Sequence, residues 1–231
     1  MEEETTLTSQ SVALLREGKP FVFSDESIGR EWTIYPFAFR LKTAEEGGKG
    51  EAGIKIDWEH DSWDWYDPME VEDTPAFGGV PRIAESLRRV WFEKDVGETA
   101  GRILGDGLER LRADNEGSSE PSSHLPLEIL RDVALGTDSP GLSWDEWWRR
   151  TRLAAWHIWT NGNQNTKPAT LATLHSALTG VENKVSDQGL STAAKVDTAT
   201  KELASLATKE VAQRHEDLDL NAETERLFGD L

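Results

Sequence analysis

Apolar and polar residues alternate along the first third of the chain, which is the pattern of strands that bury one of their two faces. Between residues 19 and 65, three runs share this pattern: Phe21 with Phe23, Trp32 to Phe39, and Ile54 with Ile56 and Trp58. Pro36 interrupts the second run and has no N–H to donate, so we expect it at a sheet edge or a bulge. Residues 45–50 are rich in glycine and predict a hairpin turn. This part of the chain should therefore form antiparallel strands.

After Pro81 the apolar spacing changes to three and four residues, which is the period of a helix with one buried face. Four segments carry this period, at residues 83–91, 96–111, 125–135 and 143–159. Gly105 and Gly107 should weaken the second of these helices, because glycine has a low helix propensity. The polar residues 113–123 predict a loop.

The helix predicted at residues 143–159 has the clearest start. Ser143 and Glu146 have the spacing of a capping box, in which the serine hydroxyl accepts from the N–H three residues later. Five residues at helical spacing predict one broad apolar face: Trp144, Trp148, Ala155, Trp156 and Trp159. We expect this face to lie in the core.

From Thr170 to Arg214 the chain has no aromatic residue, and apolar residues recur in steps of four and three, as along the seam of a coiled coil. An extra four-residue step at Gly189 resembles a stutter. The seam candidates are Leu174, Leu178, Val181, Val185, Val196, Leu203 and Leu206. A lone helix with so many small residues would be marginal, so we expect it to pack on copies of itself or on the body of the protein.

These patterns together predict an α+β fold. Antiparallel strands at about residues 19–65 would pack with helices at about 82–160 in a globular domain of residues 1–165. Residues 166–231 would form a long, coiled-coil-like helical extension.

The charge of the chain restricts its partners. It has 43 acidic and 25 basic residues and a net charge of -18, which argues against direct binding to nucleic acid and to anionic membranes. Three explanations for the acidity remain open: solubility, adaptation to high salt, and a binding face for a basic partner. The absence of cysteine excludes disulfides, thiolate nucleophiles and cysteine-bound zinc.

The most acidic stretch also contains three tryptophans, Trp58, Trp63 and Trp65. No lysine or arginine occurs between Asp57 and Pro81. The rings could cover the core while the acids face water, or both could form a contact patch for another protein. A Ca²⁺ site is a further alternative, although the spacing of an EF-hand is missing. A carbohydrate cleft with two catalytic carboxylates is another.

A second group of aromatic and basic residues lies near the start of the last predicted helix. Trp147, Arg149 and Arg150 are residue types that protein interfaces favour. The same residues could equally belong to a core helix with a basic outer face. The histidines have no metal-ligand spacing, and no nucleophile elbow or phosphate loop is present, so we predict no catalytic, cofactor or metal residue.

The order of the segments, a compact domain followed by a helical arm, resembles that of small structural and assembly proteins of tailed viruses. This resemblance is one of layout, so it carries over no functional residue. It implies a non-enzymatic protein, in the virion or the host cytoplasm, that binds other proteins and copies of itself. The acidic, cysteine-free composition would also suit a virus or host of salty environments.

The candidate interface residues are therefore Trp58, Trp63, Trp65, Trp147, Arg149, Arg150 and the seven seam candidates. Two alternatives from other classes stay open. One is a sugar- or Ca²⁺-binding module, or a glycan-active enzyme, that uses residues 57–73. The other is an acidic inhibitor or chaperone of a basic partner.

Overall fold

The computed structural model of the protein describes residues 2–26, 28–117, 124–137, 141–186 and 190–209. It confirms the α+β class, with antiparallel strands and helices in one chain. The chain forms two compact units, Met1–Asp95 and Val96–Leu231. The division thus falls at residue 95 rather than at residue 165, because the helix that begins at Lys167 packs on the helices before it.

The N-terminal unit contains the strands. They are β1 (Val12–Glu17), β2 (Phe21–Asp25), β3 (Arg30–Ile34) and β4 (Phe37–Leu41). Its helices are α1 (Glu2–Thr5), α2 (Ile83–Arg88) and α3 (Phe92–Val96), and Gly50–Gly53 forms a 3-10 turn.

The helical unit contains α4 (Glu98–Gly117), α5 (Leu125–Gly136), α6 (Trp144–Asn161) and α7 (Lys167–Ser186). A 3-10 turn at Gln164–Thr166 joins α6 to α7. Residues 192–209 form a further helix, α8, up to the end of the described chain.

The four strands form one long hairpin that is interrupted in the middle. β1 pairs with β4 and β2 pairs with β3, all antiparallel, as two separate two-stranded sheets. The interruption coincides with Pro20 and Pro36, which have no N–H to donate to the ladder. Across this gap the N–H of Gly18 donates to the carbonyl oxygen of Pro36 at 2.8 Å. Pro36 therefore separates two strands.

Two strand predictions were wrong. The strand expected at Ile54 to Trp58 does not form. Lys55 and Asp57 donate backbone bonds to Thr5 and Glu4, and Ile54 donates to Glu51 in the preceding 3-10 turn. Conversely, β1 was missed, because its apolar residues do not alternate. The register shifts between Leu14 and Arg16, which marks a bulge and explains the broken alternation.

The two arginines that flank α2, Arg82 and Arg89, lie over the aromatic rings of β2. Phe21 is buried there, with the guanidinium of Arg89 4.5 Å from its ring centre. Arg82 lies 5.6 Å from the ring centre of Phe23. In the β1–β4 half, Arg16 lies 4.2 Å from the ring centre of Phe92 in α3. Arginine stacked on aromatic rings thus joins the helices to the hairpin.

Helix α5 is the centre of the helical unit and contacts α4, α6 and α7. Helix α4 runs unbroken through its glycines and on to Gly117, so residues 113–117 are helical and not part of a loop as expected. Residues 118–123 of the expected loop lie outside the described chain. Gly107 lets α4 approach α5 closely, since a Cβ there would lie 2.6 Å from Cγ2 of Ile129. By contrast, a Cβ at Gly105 would meet nothing within 4 Å.

Helix α6 begins as predicted, because the hydroxyl of Ser143 accepts from the N–H of Glu146 at 3.1 Å. Its buried face is different from the predicted one. Trp148 and Ala155 of the predicted face are buried, whereas Trp144, Trp156 and Trp159 are half-buried. Trp147, Thr151, Ala154 and Ile158 are also buried. The buried face of α6 thus includes helix positions next to the predicted ones.

The tail segments pack inside the helical unit. Helix α7 ends at Ser186, residues 190 and 191 are not helical, and α8 follows. A Cβ at Gly180 of α7 would lie 3.7 Å from Cδ1 of Leu206 in α8. The body of the protein is therefore the packing partner of these helices. A coiled-coil extension to residue 231 is not confirmed, because Gly189 and residues 210–231 lie outside the described chain.

The two α4 glycines provide a matched test of this packing. Gly105→Ala should stabilise the helical unit by about 0.5–1 kcal/mol, because alanine has the higher helix propensity and space is available. Gly107→Ala should destabilise it by about 1–3 kcal/mol, because its Cβ would displace Ile129. Urea unfolding monitored by circular dichroism measures both. Shifts of the same sign in the two variants would contradict the α4–α5 contact.

Candidate protein-binding surface of the N-terminal unit

Exposed apolar side chains are concentrated in the N-terminal unit. In the described part of the chain, sixteen large apolar side chains are exposed, and fourteen of them precede residue 96. Large exposed apolar patches are rare in soluble monomers and mark contact sites. The candidate functional surface therefore lies in this unit.

Three of the predicted site residues belong to this surface. Trp58, Trp63 and Trp65 are 90, 41 and 60 % exposed, and Tyr66 next to them is 62 % exposed. They lie on the irregular chain between the hairpin and α2, which we call the acidic aromatic segment, residues 57–77. The rings do not cover the core, so the interpretation of Trp58, Trp63 and Trp65 as core residues is wrong.

The rings of the acidic aromatic segment contact one another. Trp63 and Trp65 meet edge to face, with 5.7 Å between ring centres and 82° between planes. Tyr66 meets Phe77 in the same way at 5.4 Å. Such pairs contribute energy beyond the area they bury, which favours defined ring positions in this irregular segment.

The end of the segment is attached to the helices of its own unit. Val71 is buried, and the ammonium of Lys94 donates to the carbonyl oxygens of Met69 and Val71 at 3.2 and 2.8 Å. A carboxylate oxygen of Asp73 accepts from the N–H of Ala84 in α2 at 3.0 Å. The segment is thus fixed near residues 69–73, while the tryptophans before it face water.

Local hydrogen bonds organise the acidic half of the segment. The carboxylate of Asp57 accepts from the N–H of Glu59 at 3.0 Å and lies 2.7 Å from Nδ1 of His60. The hydrogen bond with His60 lowers the pKa of Asp57, and the same bond raises the pKa of His60. The carboxylate of Asp67 likewise accepts from the N–H of Met69 at 2.8 Å.

The segment carries eight acidic side chains and no lysine or arginine. Within the described residues, no three histidine, aspartate or glutamate side chains form a group that could hold a metal ion. The charge is therefore distributed along the segment rather than gathered at one point. An extended negative surface with aromatic rings suits a positively charged partner.

The second group of predicted interface residues lies elsewhere. Trp147 is fully buried, and Trp144 and Trp148 stack on it with ring centres 5.6 and 6.5 Å away. Arg149 and Arg150 both donate to Glu146, at 3.0 and 2.9 Å. Trp147 is therefore a core residue, and its assignment to an interface was wrong.

The seam candidates also lie inside the helical unit. Leu174, Val181, Val185, Val196 and Leu203 are buried. The two others, Leu178 and Leu206, are half-buried. The five buried seam residues are therefore not available to a second copy in this conformation.

An open groove of about 500 Å³ lies beside this seam. It is lined by residues of α5, α7 and α8, including Leu127, Ala177 and Leu206. Lys209 is the single ionisable side chain of its described lining.

Sequence reasoning missed several members of the exposed surface. Tyr66 continues the aromatic run after Trp65 and could have been included from its position. Phe37 and Phe39 were missed because their alternation along the strand predicted that they are buried. Both are exposed instead.

Compared with protein-family models, curated proteins and solved structures, the chain matches none of them. In the part of the chain that the structure describes, every helix is too short or too polar to cross a lipid bilayer.

The Glu146 ion pairs lead to a prediction about acid stability. The hydrogen bond from Arg149, followed by that from Arg150, lowers the pKa of Glu146 from 4.5 to about 2. Because the folded-state pKa is lowered, the stabilisation is complete above about pH 4.5 and is lost as pH falls through about 2. Glu146→Gln should lower the free energy of unfolding at pH 7 by less than about 1 kcal/mol, because the pair is partly exposed.

Urea unfolding of both proteins between pH 7 and pH 2 tests this prediction. The difference should stay constant down to about pH 5 and then shrink. Glu98→Gln is a matched control, since Glu98 pairs with Arg102 at a more exposed place on α4. A difference for Glu146→Gln that grows toward low pH would contradict the assigned pairing.

Proposed function

We propose that this protein is a non-enzymatic structural or assembly protein that binds another protein through its acidic aromatic segment. The observation that carries the proposal is the exposure of Trp58, Trp63, Trp65 and Tyr66 within a segment of eight carboxylates. Trp58 and Trp65 leave more than half of their surface in water, and this exposed part is available for contact with a partner.

The energetics favour a macromolecular partner. A fully buried aromatic side chain covers about 150–250 Å², so four half-exposed rings offer several hundred Å² of new burial. Tryptophan and tyrosine are also the residues that most often dominate binding energy at protein interfaces. Attachment of the segment at residues 69–73 reduces the entropy lost on binding.

The charge of the segment indicates a basic partner, with arginine as its main contact residue. A guanidinium can stack on an indole face and donate to a neighbouring carboxylate at the same time. Carboxylates at Asp61, Asp64 and Asp67 alternate with the rings at Trp63, Trp65 and Tyr66. Each ring therefore has an acidic neighbour along the chain.

An assembly role, in a virion or in the host cytoplasm, is the role that the layout resemblance of the sequence implies. The exposed segment supports binding to another protein, whereas the described part of the helical arm packs on its own unit. An acidic inhibitor of a basic partner would use the same segment, so the two functions share their recognition chemistry.

Titration with an arginine-rich peptide tests the recognition chemistry. We expect the indole N–H resonances of Trp58, Trp63 and Trp65 to shift, while those of the buried Trp147 and Trp148 stay in place. A peptide with citrulline in place of arginine should bind much more weakly, because it lacks the charge. Molar salt should weaken the binding of the arginine peptide by screening.

A variant with Trp58→Ser and Trp65→Ser separates the rings from general charge attraction, since it keeps every carboxylate. Its affinity for the arginine peptide should fall by about fivefold or more, as expected from two lost cation–π contacts. Unchanged affinity would overturn the proposed role of the rings. Indole shifts caused instead by Ca²⁺ or by glycans would favour the binding module or glycan-active alternative.

A further inference from the structure

One apolar face of the long hairpin is exposed beyond the Val12–Leu41 pair, in which Val12 is buried and Leu41 is half-buried. Leu14 pairs directly with Phe39, and the rings of Phe37 and Phe39 are 6.3 Å apart. In the separate β2–β3 sheet, Val22 lies on the side opposite to that of Phe21. These four side chains, the uncovered hairpin face, are between 43 and 56 % exposed.

The alternation of side chains explains why this face is open. In the β1–β4 half, Arg16 pairs with Ala38 and stacks on Phe92 of α3. Phe37 and Phe39 flank Ala38 along β4 and therefore point to the opposite side. The position of α3 on one side thus leaves the phenylalanines on the other.

The uncovered hairpin face differs in charge from the acidic aromatic segment. Residues 12–41 contain four basic and four acidic side chains, so the hairpin is electrically balanced within a chain of net charge -18. Two acidic aromatic segments would repel each other, whereas two hairpins carry no net charge to oppose their contact. The balance of charge therefore favours a second copy of this chain over a basic partner at this face.

The available area agrees with an interface core. Four half-exposed apolar side chains provide on the order of 300–400 Å² of apolar surface on each copy. A stable interface buries about 800 Å² per partner, with an apolar centre and a polar rim. The polar side chains of the same hairpin, which extends over residues 12–41, can supply that rim.

We propose that two copies of the chain associate through the uncovered hairpin face. A twofold axis would place Phe37 and Phe39 of one copy against the same residues of the other, as in isologous dimers. This contact is separate from the acidic aromatic segment and does not depend on the proposed function of that segment.

The salt dependence of this association has a defined sign. The net charge of each copy opposes approach at low salt, and salt screens that repulsion while apolar contact persists. Self-association should therefore strengthen from low to molar salt. Binding of a basic peptide by the acidic aromatic segment should weaken over the same range, so the two proposals can fail independently.

Sedimentation equilibrium of the full chain at low and at molar salt measures the association. We expect a dimer whose dissociation constant falls with salt. The double variant Phe37→Ser, Phe39→Ser should raise that constant by about tenfold or more. Leu171→Ser, at a residue that is 45 % exposed on α7, is the matched control and should behave like the unchanged chain.

A second measurement does not depend on how the serine variant folds. Because the chain has no cysteine, Phe39→Cys and Leu171→Cys each introduce a single thiol. A short bismaleimide should link two copies through residue 39 and not through residue 171. A chain that stays monomeric in molar salt would overturn the proposal, and so would a dimer that links equally well through both positions.

Discussion

A two-stranded hairpin has two faces, and the N-terminal unit covers only one of them with helices. Stacking of Arg89 on Phe21 and of Arg16 on Phe92 holds α2 and α3 on that covered face. Because successive side chains along a strand point to opposite faces, the phenylalanines at alternate positions of β4 point to the other face and are exposed to water. The exposure of Phe37 and Phe39 therefore follows from the alternation of side chains in the hairpin.

The helical unit shows the opposite balance. Its apolar residues are largely used internally, around α5 and the close approach of α4 at Gly107. The buried seam residues of α7 and α8 belong to the same core. A unit that satisfies its own apolar residues suits a scaffold, whereas the N-terminal unit has unsatisfied surface to offer. This contrast is the physical basis for assigning recognition to residues before Val96.

The two exposed surfaces of the N-terminal unit differ in charge, and that difference is the reason for proposing a different partner for each. The acidic aromatic segment concentrates eight carboxylates around its rings, so it attracts positive charge and repels its own copy. The hairpin is electrically balanced, so its apolar face can meet an identical face. Under the two proposals, the hairpin face joins copies of the chain and the acidic aromatic segment binds a basic protein, a combination that suits an assembly component.

The sequence by itself determined the elements that depend on local chemistry. These are β2, β3 and β4, the Ser143 cap of α6, and the presence of helices after Pro81. Tertiary structure decided which apolar residues are buried, because periodicity defines a face but not what covers it. Trp147 is buried and Phe39 is exposed for this reason, against the sequence prediction in both cases. Likewise, no local signal could show that the α7 and α8 residues pack on their own chain, since a seam has the same pattern with either partner.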